Sequence, residues 1–192
     1  MVQELLGAGH QVLGLSRAEK GDQALTAAGA AVHRGSLEDL DSPRSGAAAA
    51  DGVIHLAYGH DFSKYVEAGQ TDKEVIEAMG EALAGTSKPL VVTAGLAGLA
   101  NGRLATEADT PGASPRLSEP TALAQVPKGV RATVVRLAPS VHDDGDQGFV
   151  PTLINLARSK GAAAYIGDGQ NRWPAVHRLD TARLFRLALE RG

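Results

Sequence analysis

The sequence predicts an α/β fold in which a doubly wound parallel sheet lies between two layers of helices, and three observations favour it. Short runs rich in Val, Ile and Leu alternate along the chain with stretches of helical periodicity. The runs 51–57, 89–94 and 131–138 are continuously apolar, as is typical of strands that helices cover on both faces. Finally, parallel strands need long crossover connections, and the helical stretches between the runs provide them.

The elements follow from the apolar pattern in chain order. Strands are predicted at 11–16, 30–33, 51–57, 89–94, 131–138 and 162–167. Helices are predicted at 2–6, 21–28, from 37 onward, at 71–84, at 149–160 and at 181–190. Ser36 and Thr71 are the predicted cap residues of the third and fourth helices, and Pro43 should disturb the second turn of the third. Gly29 follows the second helix at the position where a glycine commonly ends one. Residues 95–117 form a long loop, and loops of that length inside a domain are usually functional.

Composition and charge exclude several classes of protein. The chain has no Cys, which excludes disulfide frameworks, zinc knuckles, iron–sulfur ligation and thiol nucleophiles. With 19 basic and 22 acidic residues, it offers no basic surface for nucleic acid. No apolar run reaches the roughly 20 residues of a membrane span, and the first residues lack a signal-peptide pattern. We therefore expect a cytoplasmic protein that binds neither nucleic acid nor membranes.

Both ends of the chain lie in helices. Val2, Leu5 and Leu6 have helical spacing, but Gly7 stops the pattern, and about 12–15 residues are needed before an isolated helix is even marginally stable. We therefore expect that residues 1–192 are a partial domain, which begins in the helix of a βα unit and ends in another helix. The alternative is that both termini are genuine and frayed.

One polar pair follows the first predicted strand. In doubly wound folds the residues about 20 positions after the glycine-rich turn meet the adenosine ribose, and an arginine there accommodates the 2′-phosphate of NADP. Ser16 and Arg17 fit that pattern, although an arginine after a strand is more often an ordinary surface residue. The glycine-rich segments 7–9 and 93–102 both fail as phosphate loops, because the first precedes a strand and no helix follows the second.

Metal and serine-hydrolase sites are not expected. The acidic run 143–146 resembles a calcium loop, but Ile154 occupies the twelfth position, where a bidentate acid is needed. The histidines lack the spacing of metal-binding motifs, and no GxSxG nucleophile elbow is present.

The motifs that carry the strongest signal stand in a characteristic order. They are LLGAGHQVLGLSR, HRGSLEDLDS, DGVIHLAYGHD, KPLVVTAGLAG, VVRLAPSVHDDGDQGFVP and YIGDGQNRWPAVHRLDTARLFRLALE. Together they resemble the extended and atypical short-chain dehydrogenases/reductases, the NAD-dependent epimerase/dehydratase group, over essentially the whole chain. The resemblance implies a Rossmann-type domain, with substrate-side elements in 95–117 and 142–180. It also implies hydride transfer on a small carbonyl, hydroxyl or sugar-nucleotide substrate, and it allows a homodimer.

The resemblance also assigns residues to a site. It implies NADP as cofactor, with NAD as the alternative. Cofactor-binding positions would be Ser16 and Arg17 at the adenosine phosphate, Ser36 and Leu37 at the adenine, Leu56, Ala57 and Tyr58 at the ribose and nicotinamide side, and Pro139 to Val141 at the nicotinamide. Thr93 would hydrogen-bond the substrate carbonyl or hydroxyl. Trp173, His177 and Asp180 would belong to the substrate side, although a histidine such as His177 is more often buried and hydrogen-bonded than catalytic.

Two features of the family are missing from this sequence. The first is the opening strand with its TGxxGxxG loop, which is central in the family's sheet, so its loss would remove the pyrophosphate site and open two strand edges. The second is the Tyr-xxx-Lys pair, because none of the three tyrosines is followed by a lysine four residues later. The positions of that pair fall near Pro115 and Glu119.

Candidates to replace the missing pair are Arg116, Ser118 and Tyr58. Ser118 and Glu119 are explained equally well as the cap and the first-turn acid of a helix. Three hypotheses remain: an NADP-preferring reductase or epimerase, a dinucleotide-sensing module without catalysis, and a truncated product without activity.

Overall fold

The computed structural model describes residues 1–59, 61–96, 99, 102–112 and 114–192, without the side chain of Phe62. Its helices are α1 (Val2–Gly7), α2 (Glu19–Ala27), α3 (Asp41–Ala49), α4 (Tyr65–Leu83), α5 (Ser118–Leu123), α6 (Phe149–Lys160) and α7 (Arg178–Arg191). Its strands are β1 (Leu13–Ser16), β2 (Ala31–Arg34), β3 (Val53–His55), β4 (Pro89–Gly95), β5 (Arg131–Leu137), β6 (Ser140–His142) and β7 (Ala175–His177). No helix in these described ranges is long and apolar enough to cross a membrane.

All strand pairs are parallel, as the sequence predicts. β4 lies between β3 and β5, β1 pairs with β2, and β6 pairs with β7. Within the described residues, β1 pairs only with β2 and β3 only with β4, so each of these strands has one edge without a neighbour. The described strands therefore form separate sheets of two or three strands rather than one continuous sheet. That the loss of a central strand opens two strand edges stays a prediction.

Strand β4 forms the centre of two apolar layers. Leu90 and Val92 are fully buried against a cluster that α3, α4 and α5 complete. Val91 points to the opposite face, where it packs with Val135 and with Phe185 of α7. Because successive side chains of a strand alternate between its faces, a run of buried apolar residues requires cover on both sides. The predicted arrangement of three layers is confirmed.

Several predicted elements differ from the structure. Residues 162–167 form no strand, and their side chains are exposed. Helix α4 starts at Tyr65, so Thr71 lies inside it rather than at its cap. Helix α3 starts at Asp41, which puts Pro43 in its first turn. Proline is tolerated there because the first N–H groups of a helix have no partner within it.

Helix α1 is stabilised by tertiary contacts. Arg186 Nε donates to Glu4 Oε1 at 2.7 Å, and His10 Nε2 lies 3.0 Å from Glu190 Oε1, so the short helix is tied to α7. Leu5 is the buried residue of α1. A helix that is too short to be stable alone is thus held by side chains distant in the chain. Gly29, with φ of +89°, follows α2 as predicted.

Candidate active site

An open cleft of about 230 Å³ lies where β1, β2 and β3 end. Arg17 directly follows β1, Leu37 follows β2, and Tyr58 follows β3. The first turns of α4 and the turn before it form the other wall, with Asp61, Lys64, Glu67 and Asp72 among the lining residues. Ligands of open α/β sheets bind outside the carboxyl ends of the strands, so this cleft lies where a cofactor site is expected.

The Arg17 end of the cleft contains both signs of charge. Glu38 lines the same cleft, and its pKa is lowered, first by a hydrogen bond from Ser36 and further by the positive charge of Arg17. Glu38 is therefore ionised at neutral pH. An anionic group that approached Arg17 would also meet this carboxylate.

The other expected cofactor residues do not line the cleft. The Ser16 hydroxyl donates to the carbonyl oxygen of Ala18 at 3.0 Å, and the side chain is buried. Leu56 and Ala57 follow β3 with exposed side chains. Pro139 and Val141 lie at β6, which pairs with β7. Their roles in cofactor binding stay predictions.

A buried polar network lies behind the cleft. Asp72, on α4, is 2% exposed, and its two carboxylate oxygens have different partners. His55 Nε2 lies 2.7 Å from Asp72 Oδ1, and the Ser118 hydroxyl donates to Asp72 Oδ2 at 2.5 Å. The network ties the end of β3 to α4 and to the start of α5. Buried polar groups are stable only when they are paired in this way.

Arg116 connects this network to Tyr58. Its Nε donates to Ser118 Oγ at 3.2 Å, and its Nη2 donates to the carbonyl oxygen of Thr93 at 3.2 Å. Its guanidinium carbon lies 4.5 Å from the centre of the Tyr58 ring, within the range of a cation–π interaction. The Thr93 hydroxyl itself donates to the carbonyl oxygen of His55 at 2.8 Å. Thr93, Tyr58 and Arg116 are thus brought together where β3 and β4 end.

The pKa of Tyr58 is raised, mainly because burial disfavours the charged phenolate. Tyr65 and Asp72 raise it further, and Arg116 acts in the opposite direction. Tyr58 is therefore protonated at neutral pH and can donate a proton.

Ser118 does not face the cleft. It is fully buried, and its hydroxyl is bonded to Asp72. The alternative that Ser118 caps α5 is wrong, because Leu117 is the cap residue and Ser118 already belongs to the helix. Glu119 does lie in the first turn of α5, and its carboxylate accepts from Arg136 Nη2 at 2.6 Å and Nε at 2.9 Å.

The residues that the resemblance assigns to the substrate side lie near β7. The His177 ring accepts a hydrogen bond from the Leu179 backbone N–H and so caps α7, and it is partly exposed rather than buried. Trp173 packs against Phe149, with ring centres 5.1 Å apart. The glycine-rich segment 93–102 falls partly outside the described residues. Within the described ranges, no group of three or more His, Asp or Glu side chains is arranged to hold a metal.

The sequence motifs do not point to Asp72 or His55, although the sequence contains a signal for each. Asp72 has helical spacing with Ile76, Met79 and Leu83, so an acid lies on the buried face of a helix. His55 likewise interrupts a continuously apolar strand. A charged or polar residue on a buried face indicates a buried partner, but the sequence does not tell which residue that partner is.

Two curated proteins are similar to the chain over its full length. The chain is 52% identical to an uncharacterized protein of Schizosaccharomyces pombe and 41% identical to an uncharacterized protein of Saccharomyces cerevisiae, over 100% of its own length. It spans 66% of the length of each of these curated relatives. No protein-family model matches the chain.

Solved structures define the fold class. A UDP-glucose 4-epimerase from Thermus thermophilus, in complex with NAD, superposes with a TM-score of 0.75 at 18% identity, over 98% of this chain and 69% of the epimerase. A UDP-glucose 4-epimerase from Thermotoga maritima gives a TM-score of 0.74 at 19% identity, over 100% and 69%. A dTDP-glucose 4,6-dehydratase from Streptomyces venezuelae gives 0.73 at 18% identity, over 98% and 67%. The chain has the fold of the NAD-dependent epimerases and dehydratases, and the resemblance seen in the sequence is confirmed at the level of the fold.

Proposed function

We propose that this chain is part of an NAD(P)-dependent oxidoreductase or epimerase that acts on a small carbonyl, hydroxyl or sugar-nucleotide substrate. The observation that supports this most directly is the common location of Arg17, Leu37 and Tyr58 in one cleft at the strand ends. Residues 1–192 are proposed as a single, partial nucleotide-binding domain, with 95–117 and 142–180 on the substrate side.

The residues present fit one end of such a cofactor. Arg17 offers a positive charge for the adenosine phosphate, and Leu37 an apolar side chain for the adenine. No glycine-rich turn that could cradle a pyrophosphate is found among the described residues that line the cleft. When bound, the nicotinamide of such a cofactor would give or accept a hydride.

The chain's own residues would handle the substrate oxygen. We propose that Tyr58 donates a proton to the substrate oxygen in the direction of reduction, since the phenol is protonated at neutral pH and lines the cleft. Thr93 would orient the substrate at the end of β4. Ser118 acts on the site indirectly, because it is buried and hydrogen-bonded to Arg116.

A second candidate is a dinucleotide-sensing module without catalysis. The missing Tyr-xxx-Lys pair favours it, because no lysine lies four residues after any tyrosine to lower a phenol pKa. The two candidates differ in one measurement. Cofactor binding without oxidation or reduction of any member of a panel of carbonyls and sugar nucleotides favours the sensing module.

The chain as given should bind NADPH weakly, because the described residues of the cleft form no pyrophosphate cradle. We expect no low-micromolar binding in calorimetry, and a chain extended at its amino terminus by a strand and a TGxxGxxG turn should bind more tightly. Low-micromolar binding by the unextended chain would contradict this proposal. A matched extension with alanines in place of the glycines controls for the added length.

Arg17 should set the preference for NADPH in the extended chain. A hydrogen bond to a charged group is worth about 1.5–3 kcal/mol, so NADPH should bind at least about tenfold more tightly than NADH. Arg17→Ala should remove that preference. Glu38→Gln should increase it, because the carboxylate beside Arg17 is ionised and repels a phosphate. Equal affinity for both cofactors in the unsubstituted protein would rule out the assignment of Arg17, and Arg34→Ala, outside the cleft, serves as the control.

A further inference from the structure

Arg116 is a held cation without a carboxylate partner. Its guanidinium is fixed by the Thr93 carbonyl oxygen, the Ser118 hydroxyl and the Tyr58 ring, all of which are uncharged groups. No carboxylate lies within ion-pair distance of it in the described part of the chain, which includes every Asp and Glu. The carboxylate linked to it most closely is Asp72, one hydrogen bond further away through Ser118.

A nearby arginine shows the usual arrangement. Arg136 donates two hydrogen bonds to the carboxylate of Glu119. Glu119 lies three residues after Arg116 in the chain. A partly buried cation loses hydration, and in proteins this loss is normally offset by an opposite charge. At Arg136 the protein provides that charge, and at Arg116 it does not.

Within the part of the chain that the structure describes, the hydrogen bonds of Arg116 use only some of its donors. A guanidinium has five N–H donors, and two of its nitrogens, Nε and Nη2, each bond one protein oxygen here. The remaining donors include those of Nη1. Arginine presents its donors in a planar fork that matches the two oxygens of a carboxylate or the oxygens of a phosphoryl group.

The location of Arg116 is that of a substrate site. It contacts Thr93 near the end of β4 and lies on Tyr58, which lines the cleft. Its backbone is also fixed, because Gly69 of α4 packs so closely on the 115–116 segment that a Cβ would overlap the Pro115 carbonyl oxygen. A cation held rigidly at the end of a central strand is prearranged for a ligand, which lowers the entropy lost on binding.

We propose that Arg116 is an anion-binding residue of the substrate site and that the substrate carries a carboxylate or phosphoryl group that it binds. That the bound anion belongs to a substrate rests on the proposed function. That Arg116 binds an anion rests on its geometry alone. The bound anion provides the negative charge that no described carboxylate provides to Arg116. The His55–Asp72–Ser118 network holds Arg116 Nε in place and so acts as its positioning group.

The test is a titration of the isotopically labelled 192-residue chain, read by NMR at the Nε–H of Arg116, without any cofactor. Sodium acetate should shift this signal with saturation, whereas acetamide, which has the same shape and no charge, should not. Inorganic phosphate, titrated in the same way, tells whether the favoured anion is a carboxylate or a phosphoryl group. Because no cofactor or turnover is involved, failure of the proposed oxidoreductase function would leave this result unchanged.

Variants identify the residue. Arg116→Lys keeps the charge but loses the planar fork and should weaken acetate binding several-fold, as monitored by neighbouring backbone signals. Arg116→Gln should weaken it at least tenfold. Arg44→Gln, an exposed arginine that pairs with Asp41 and Glu81, should bind acetate like the unsubstituted chain. Equal responses to acetate and acetamide, or unchanged binding in Arg116→Gln, would overturn the proposal, and the first of these comparisons needs no variant to fold.

Discussion

Replacing Asp72 with alanine should lower the free energy of unfolding by about 3 kcal/mol. The Asp72 carboxylate is the common partner of His55 and Ser118, both of which are buried. Leaving a buried donor without a partner costs about 1–3 kcal/mol, and this substitution affects two of them. Urea denaturation followed by circular dichroism gives the difference, provided that the slope of the transition is unchanged.

Asp72→Asn removes the negative charge of the side chain and keeps its shape, so it separates the two contributions to stability. The amide keeps one oxygen that can accept from Ser118 or His55, so we expect roughly half the loss of Asp72→Ala. Asp51→Ala is the matched control, because Asp51 is fully exposed and lies 3.7 Å from Lys88 Nζ, a distance typical of weak surface pairs. A loss for Asp72→Ala no larger than that for Asp51→Ala would show that the network does not stabilise the fold. Asp72→Ala should also weaken acetate binding at Arg116, because Ser118 loses its anchor.

Replacing Gly69 with alanine should destabilise the protein by about 1–2 kcal/mol, although alanine is the better helix former. In an ordinary helix this change stabilises by about 0.5–1 kcal/mol. Here the added Cβ would overlap the carbonyl oxygen of Pro115, which is a backbone atom and cannot rotate away. Overpacking of this kind typically costs about 1–3 kcal/mol and moves the backbone.

Gly7→Ala is the control for Gly69→Ala. Gly7 is also helical, and its added Cβ would have no atom within 4 Å, so stability should be unchanged or slightly higher. The NMR signal of Arg116 Nε provides a second measurement, because displacement of the 115–116 segment should shift it in Gly69→Ala and not in Gly7→Ala. If Gly69→Ala is as stable as the unsubstituted chain and leaves that signal in place, the close approach of α4 to this segment has no energetic role.

The order of the elements could be predicted from local patterns. The strands at 89–95 and 131–137 follow from continuous apolar runs, and α6 begins and ends at the predicted residues. Burial of β4 on both faces follows from the same runs, because only a strand between two helix layers removes successive apolar side chains from water. By contrast, α3 and α4 do not begin at the predicted residues. Glu67, Ala68 and Gln70 are helix formers that precede Thr71, and proline fits the first turn of a helix.

The cleft was partly predictable. Arg17, Leu37 and Tyr58 each follow a strand, and parallel strands end on the same side of a sheet, so their convergence follows from topology. The role of Ser118 was not predictable. Its position before Glu119 at the start of a helix suits a cap, and only the packing of α5 against α4 brings its hydroxyl to Asp72.

The sequence by itself determined the fold class, the parallel strands and the residues that follow them. Apolar periodicity and the order of elements can be read locally, and burial of the apolar faces then requires a sheet between two layers of helices. Only the tertiary structure decided the partners of the polar side chains. Asp72 meets Ser118 across 46 positions of the chain, and Arg116 meets the Thr93 carbonyl oxygen across 23. Such pairs are set by the close approach of α4, α5 and β4, which depends on the packing of the whole core rather than on any local pattern.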